Sequence, residues 1–186
     1  MKTTDAPFEL NAHAQDRVRF GDPVYFELFE FLQDEAMVLD HNRMDDWLNL
    51  LSEDLFYWMP IRVTRDRADG EGFAEQAGHF EDTYASIALR VRRLTKTRTA
   101  WAEDPPSRVR RFVNNVIVYR TSEINEYRVT SSILLIRTRF DTAKIDMITA
   151  ERHDVIRRND MGWRLARREI YADQSTLAMS NLAVFL

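Results

Sequence analysis

No cysteine occurs in the 186 residues. Its absence excludes disulfides, thiolate zinc sites and a cysteine nucleophile. It also excludes an iron–sulfur cluster on this chain, the Rieske type included, because that centre needs two Cys besides two His. Glycine is nearly as scarce, with five. Gly70 and Gly72 are followed by Glu75 where a dinucleotide fingerprint would place its third glycine, and there is no P-loop or Gly-x-Ser-x-Gly elbow. No stretch approaches the ~20 apolar residues that cross a bilayer, and Met1 to Asn11 has one Lys and no apolar run, unlike a secretory signal. A basic excess is missing too: the net charge is -4, which argues against nucleic acid as a partner. These absences point to a soluble cytoplasmic protein that lacks most of the common catalytic vocabulary.

What is present is enough for a core. Hydrophobic residues make up 45% and aromatics 11%, and the length suits one domain. Residues 1–21 read as a loose N-terminal arm and 22–186 as the folded domain. Asp22-Pro23 is a helix start, with an acceptor for free backbone N–H groups and a proline preset for the first turn. Tyr25, Leu28, Phe29, Leu32, Ala36 and Leu39 follow at helical spacing, and Val24, Phe31 and Val38 widen the apolar face so far that part of it is available to another chain. A short second helix carries Met44, Trp47, Leu48 and Leu51. Leu55 to Ile61 reads as a strand near a sheet edge because it contains Pro60. Thr64 to Gly78 reads as a surface loop, and a third helix is expected from about Phe80 to Leu94, with Glu81 and Asp82 at its positive end and Arg92, Arg93 and Lys96 near its negative end.

From Val109 the apolar period changes toward two. Arg108–Tyr119, Tyr127–Phe140, Ile145–Arg158 and Trp163–Tyr171 are four long strands joined by short polar turns, hence a mainly antiparallel meander. Both faces of Ile133-Leu134-Leu135-Ile136 are apolar, so the sheet needs cover on two sides there, one of them the helical layer. Helices first and long strands afterward make the fold α+β.

Four constellations invite a chemical reading. His79 and Glu81 have His-x-carboxylate spacing, with His153 far downstream as a third ligand, but a helix start would point residues two apart in different directions. Loop and cap residues are the better reading, and no metal ligand is assigned. Asp40, His41, Asp46 and Tyr57 could converge in a proton-transfer site, as in a stand-alone isomerase or dehydratase. Ordinary capping explains them more simply, with Asn42 capping the second helix and Asp45 and Asp46 in its first turn. The arginines at 90, 92, 93, 98, 108, 110 and 111, with Lys96, read as a solvated helix face running into a strand. Arg152, Arg157, Arg158, Arg164, Arg167 and Arg168, interleaved with Glu151, Asp154 and Glu169, read as cross-strand ion pairs, at the surface or in a polar subunit interface.

Three longer segments carry a resemblance. Tyr57-Trp58-Met59-Pro60-Ile61-Arg62 is one. Trp101-Ala102-Glu103-Asp104-Pro105-Pro106-Ser107-Arg108, leading into Val109-Arg110-Arg111-Phe112-Val113-Asn114-Asn115-Val116, is the second. Glu151-Arg152-His153-Asp154-Val155-Ile156-Arg157-Arg158 is the third. Together, from about Pro23 to the C-terminus, the chain resembles the small (β) subunit of bacterial aromatic-ring-hydroxylating dioxygenases of the biphenyl and naphthalene type. The resemblance implies a cone similar to nuclear transport factor 2, with helices packed in a long curved antiparallel sheet. It implies a large (α) subunit as partner in a three-plus-three hexamer, with self-association of this chain as a trimer. That large subunit would hold the Rieske 2Fe–2S cluster and the mononuclear non-haem iron. No catalytic, cofactor or metal residue is carried over to this chain.

Trp101, Asp104, Pro105, Pro106 and Arg108 are the expected subunit-interface residues. Pro105-Pro106 removes two backbone donors and favours a stiff extended segment, while Trp and Arg are side chains that dominate interface hot spots.

Overall fold

The computed structural model describes residues 15–66, 68, 72–96, 103, 105–177, 179 and 181–186. Helix α1 spans Pro23–Asp40, and Asp22 caps it through Oδ1, which accepts from Val24 N at 3.0 Å. Leu28, Phe31, Leu32, Ala36 and Leu39 are buried along it, and Val24, Tyr25, Phe29 and Val38 pack partly against the same core. The wide apolar face is therefore used largely within the chain. Helix α2 is Met44–Leu48, with Asp45 and Asp46 in its first turn. Its N-cap position belongs to Arg43, and Asn42 instead takes a left-handed turn at φ 55.

Seven strands form one curved sheet: β1 (Arg17–Val18), β2 (Leu51–Arg62), β3 (Phe73–Thr83), β4 (Arg108–Arg120), β5 (Glu126–Thr138), β6 (Ile145–Asn159) and β7 (Gly162–Ala172). Their order is β1-β4-β5-β6-β7-β2-β3. The four long strands expected from period two are present within two residues at each end, and they pair antiparallel in sequence order. The β2–β7 pairing is parallel, so the sheet is mixed at that seam. A register shift between Asn114 and Ile117, with Asn115 at φ 53, bends β4 in mid-strand, as a bulge does.

Several expectations are corrected. Arg17–Val18, placed in the loose arm, pairs with Tyr119 and Val118, and Val18 is buried. β2 is not an edge strand: it lies between β7 and β3, and Pro60 is accommodated by shifts in its pairing with β3. The region read as loop and helix start contains β3. Helix α3 runs Tyr84–Lys96, four residues later than expected, with no acidic residue in its first turn. Thr83 and Ser86 exchange hydrogen bonds at its start, in the manner of a capping box.

The core lies between the inner sheet face and the helices, around Leu32, Trp47, Tyr57, Ile87, Leu135 and Ile170. Among the described residues no helix is long and apolar enough to cross a membrane.

Candidate functional site

Inside the cone, charges occupy positions that the pattern reserves for apolar side chains. Glu35 lies in the α1 seam between Leu32 and Leu39 and is buried. Arg168 on β7 meets it with two bonds of 2.8 Å and meets Asp154, its cross-strand partner on β6, with two more of 2.8 Å. Its remaining N–H donates to Leu186 O at 2.9 Å, so all five donors of the guanidinium are used. Burial pushes the Glu35 carboxyl up, but Arg168, with Arg152 and the Trp47 indole, more than offsets this and holds it below its ordinary value. Burial opposes the charge on Arg168 too, yet Asp154 and Glu35 raise its pKa well above the ordinary value. Both groups stay ionised inside the core.

A second pair lies nearer the β4 end of the cone. Arg111 Nη1 donates to Asp40 Oδ1 at 2.6 Å, and the Arg111 backbone N to Asp40 Oδ2 at 3.0 Å. Arg137 on β5 donates to Glu103 Oε1 at 2.7 Å and to Ser107 Oγ at 2.8 Å. Arg152 on β6 is buried as well. It lies 3.7 Å from Glu35, bonds Ser131 through Nε, and keeps Nη2 without a partner. Burial lowers its pKa first, and the neighbouring charge of Arg168 lowers it further.

The proton-transfer candidates do not converge. Asp40 is held by Arg111. His41 ends α1, its ring facing Met37 O at 2.7 Å, and Asp46 pairs with Arg43 in solvent. Tyr57 faces the interior, where its hydroxyl donates to Leu186 O and accepts from Leu186 N. Burial pushes that hydroxyl up against the opposing effect of Arg168, so it stays protonated. His79 and Glu81 lie on β3, not at a helix start, so the directional objection to them falls. Still, no cluster of three potential ligands exists among the described residues. His79 is instead a partly buried imidazole whose pKa is lowered by burial.

The cross-strand reading of the β6–β7 charges holds for Asp154 and Arg168, but inside the cone rather than at a surface or interface. Arg111, assigned to a solvated face, is buried too. A signal for these residues was present. Arg111 continues the inward parity of Val109 and Val113, Arg137 that of Ile133 and Leu135, and Arg152 that of Ile148 and Ala150.

The opposite, outer face of the sheet carries a different surface. Arg110, Ile136 and Met147 form one cross-strand row, and Phe112, Leu134 and Thr149 the next. Phe112 is 56% exposed, Met147 47% and Ile145 63%, while Leu134 and Ile136 are half-buried with none of the described helices over them. Arg108, at the rim, donates to Phe140 O, and Pro105 and Pro106 are exposed. Trp101 and Asp104 lie outside the described residues.

With this geometry in place, relatives can be compared. Residues 34–179 match the family model described as ring hydroxylating beta subunit. The chain is 35% identical over 164 residues to the biphenyl 2,3-dioxygenase subunit beta of Rhodococcus jostii (strain RHA1), covering 86% of this chain and 87% of that one. It is 36% identical over 165 residues to the benzene 1,2-dioxygenase subunit beta of Pseudomonas putida, with the same coverage. In fold it is similar to a chain of naphthalene 1,2-dioxygenase solved with indole bound in the active site, with TM-score 0.80 and 22% identity, over 92% of this chain and 91% of that one. Glu35, Asp154 and Arg168 pair inside the cone, no described helix covers the outer face, and the chain belongs to the ring-hydroxylating dioxygenase beta subunit family.

Proposed function

We propose that this chain is the assembly subunit of a Rieske non-haem iron oxygenase that cis-dihydroxylates an aromatic hydrocarbon. The catalytic metals are assigned to a large subunit, in keeping with the absence of cysteine from this chain. Three copies form a trimer and bind three large subunits, in the cytoplasm. The chain acts as one domain, with β1 joined to the body formed by residues 22–186.

The observation that carries this reading is the apolar outer face of β4, β5 and β6, over which no described helix lies. Each large apolar side chain fully buried there contributes ~1.5–3 kcal/mol before the costs of association. Phe112, Ile136, Met147 and Ile145 together supply enough for a subunit contact, and Trp101, Asp104, Pro105, Pro106 and Arg108 are assigned to the interface as well. A stand-alone isomerase or dehydratase is not favoured, because Asp40, His41 and Asp46 are engaged elsewhere and the space above Tyr57 is filled.

Light scattering on the purified chain, alone and with its large subunit, tests this. A trimer alone and a larger hetero-oligomer with the partner are expected. A monomer under both conditions contradicts the proposal.

A further inference from the structure

Residues 181–186 belong to no helix or strand, yet Val184, Phe185 and Leu186 are buried inside the cone. Main-chain groups without a ladder need side-chain partners, and four arginines from four elements supply them. Arg137 Nη1 donates to Asn181 O at 3.1 Å and Asn181 Oδ1 at 3.0 Å. Arg90 Nη2 donates to Leu182 O at 3.3 Å. Arg111 donates to Phe185 O through Nε at 3.1 Å and Nη2 at 2.6 Å. Arg168 and the Tyr57 hydroxyl share Leu186 O at 2.9 and 3.0 Å. Each arginine also holds a carboxylate: Glu103, Asp82, Asp40, and Glu35 with Asp154. Each donor group therefore has an anchor that does not belong to the segment.

The apolar half of the contact is equally specific. The Phe185 ring lies 4.4 Å from the Trp47 ring, centroid to centroid, and the Arg90 guanidinium covers it at 4.6 Å. Beside this assembly Arg152, which shares Glu35 with Arg168, keeps one N–H group buried and unpartnered. An aromatic slot next to converging donors, one of them spare, has the makeup of a small-molecule site.

We propose that the cone interior is a binding site for an aryl-alkyl carboxylate, and that residues 184–186 occupy it as a ligand in cis. The side chain and carbonyl of Phe185 have the skeleton of a 3-phenylpropanoyl group, so 3-phenylpropionate is the matching free ligand. Its ring takes the Trp47–Arg90 slot. One carboxylate oxygen takes the place of Phe185 O, on the donors of Arg111, and the other takes the place of the Leu186 N–H, where the Tyr57 hydroxyl can turn to donate to it. This site is independent of the outer face and of the large subunit's chemistry.

The test is a chain with residues 184 onward removed, titrated with 3-phenylpropionate by calorimetry and by Trp emission. Ethylbenzene, propionate and the peptide Ala-Val-Phe-Leu serve as comparisons. One saturable site is expected for 3-phenylpropionate and for the peptide, at least tenfold tighter than for ethylbenzene or propionate and at least tenfold tighter than in the full chain. Arg111→Gln in the shortened chain should weaken 3-phenylpropionate at least tenfold. Equal affinity in the full and shortened chains, or no saturable binding, overturns the proposal. If the shortened chain does not fold, the full chain with Phe185→Ala decides. Its ring slot should bind one toluene with a change in Trp emission that the unaltered chain lacks, and no such binding overturns the proposal.

Discussion

Glu35 and Arg168 are separated by 133 residues and meet as a bidentate pair, Nη1 to Oε1 and Nη2 to Oε2, each at 2.8 Å and neither reaching solvent. The pair fastens α1 to β7 across the cone, and Asp154 extends the fastening to β6. Removing one member of a buried pair leaves its partner charged in a poorly solvating core, which costs about 3–5 kcal/mol. Glu35→Gln should therefore lower unfolding stability by roughly that amount, measured by urea denaturation. A loss under 1 kcal/mol would show that the pair adds little.

The same residue sets an acid limit. The Glu35 pKa is lowered in the folded state, so the folded chain binds fewer protons there than the unfolded chain. Its stabilisation is complete above the unfolded value of ~4.3 and is lost as pH falls through the lower folded value. Unfolding free energy should drop as the pH is taken from about 5 to 3, and Glu35→Gln should flatten that drop. Parallel curves for the two proteins would assign the acid sensitivity to other carboxylates.

Gly78 gives a local test of packing. A Cβ there would lie 2.4 Å from the Trp58 ring and 2.9 Å from Met59 O. The ring lies against the β3 backbone and is buried. Gly78→Ala should cost about 1–3 kcal/mol, the usual range for overpacking. Unchanged thermal stability would mean that Trp58 moves freely.

The sequence was readable where burial alternates and unreadable where it does not. β5 and β6 bury every second residue along most of their length, β4 and β7 do so apart from breaks at Asn114–Asn115, Val118–Tyr119 and Leu165–Ala166, and the four strands were legible from that period. β3 is mostly exposed, with Glu75, Gln76, Ala77 and Gly78 all open to solvent, so it carries no period-two signal and reads as loop. The interior charges were hidden for another reason. Residue type alone makes an arginine look solvated, whereas its parity with Val109, Leu135 or Ala150 places it inside. Glu35 follows the same logic in helical spacing. The interface segment was legible only as residue types: Pro105, Pro106 and Arg108 are exposed, and Arg108 turns its guanidinium to Phe140 O of the same chain.

The outer face can be tested without disturbing the interior. Phe112→Glu with Met147→Glu places two charges on solvent-exposed positions, where each changes the stability of the isolated chain by no more than about 0.5 kcal/mol. Hetero-oligomer formation should fall by at least tenfold in a sedimentation assay. Normal assembly would remove this face from the contact.

Trp101→Ala with Arg108→Ala addresses the proline-containing segment. Assembly should weaken while the small subunit remains folded, and turnover per assembled complex should stay near normal. Intact assembly with collapsed turnover would place this segment in the chemistry.

The most direct measurement is native mass spectrometry of the complex purified with its large subunit, followed by dissociation in the gas phase. The account predicts three copies of this 22.0 kDa chain with three large subunits, each small subunit leaving at its metal-free mass. A complex of any other composition, or a small subunit released with bound iron, would contradict it.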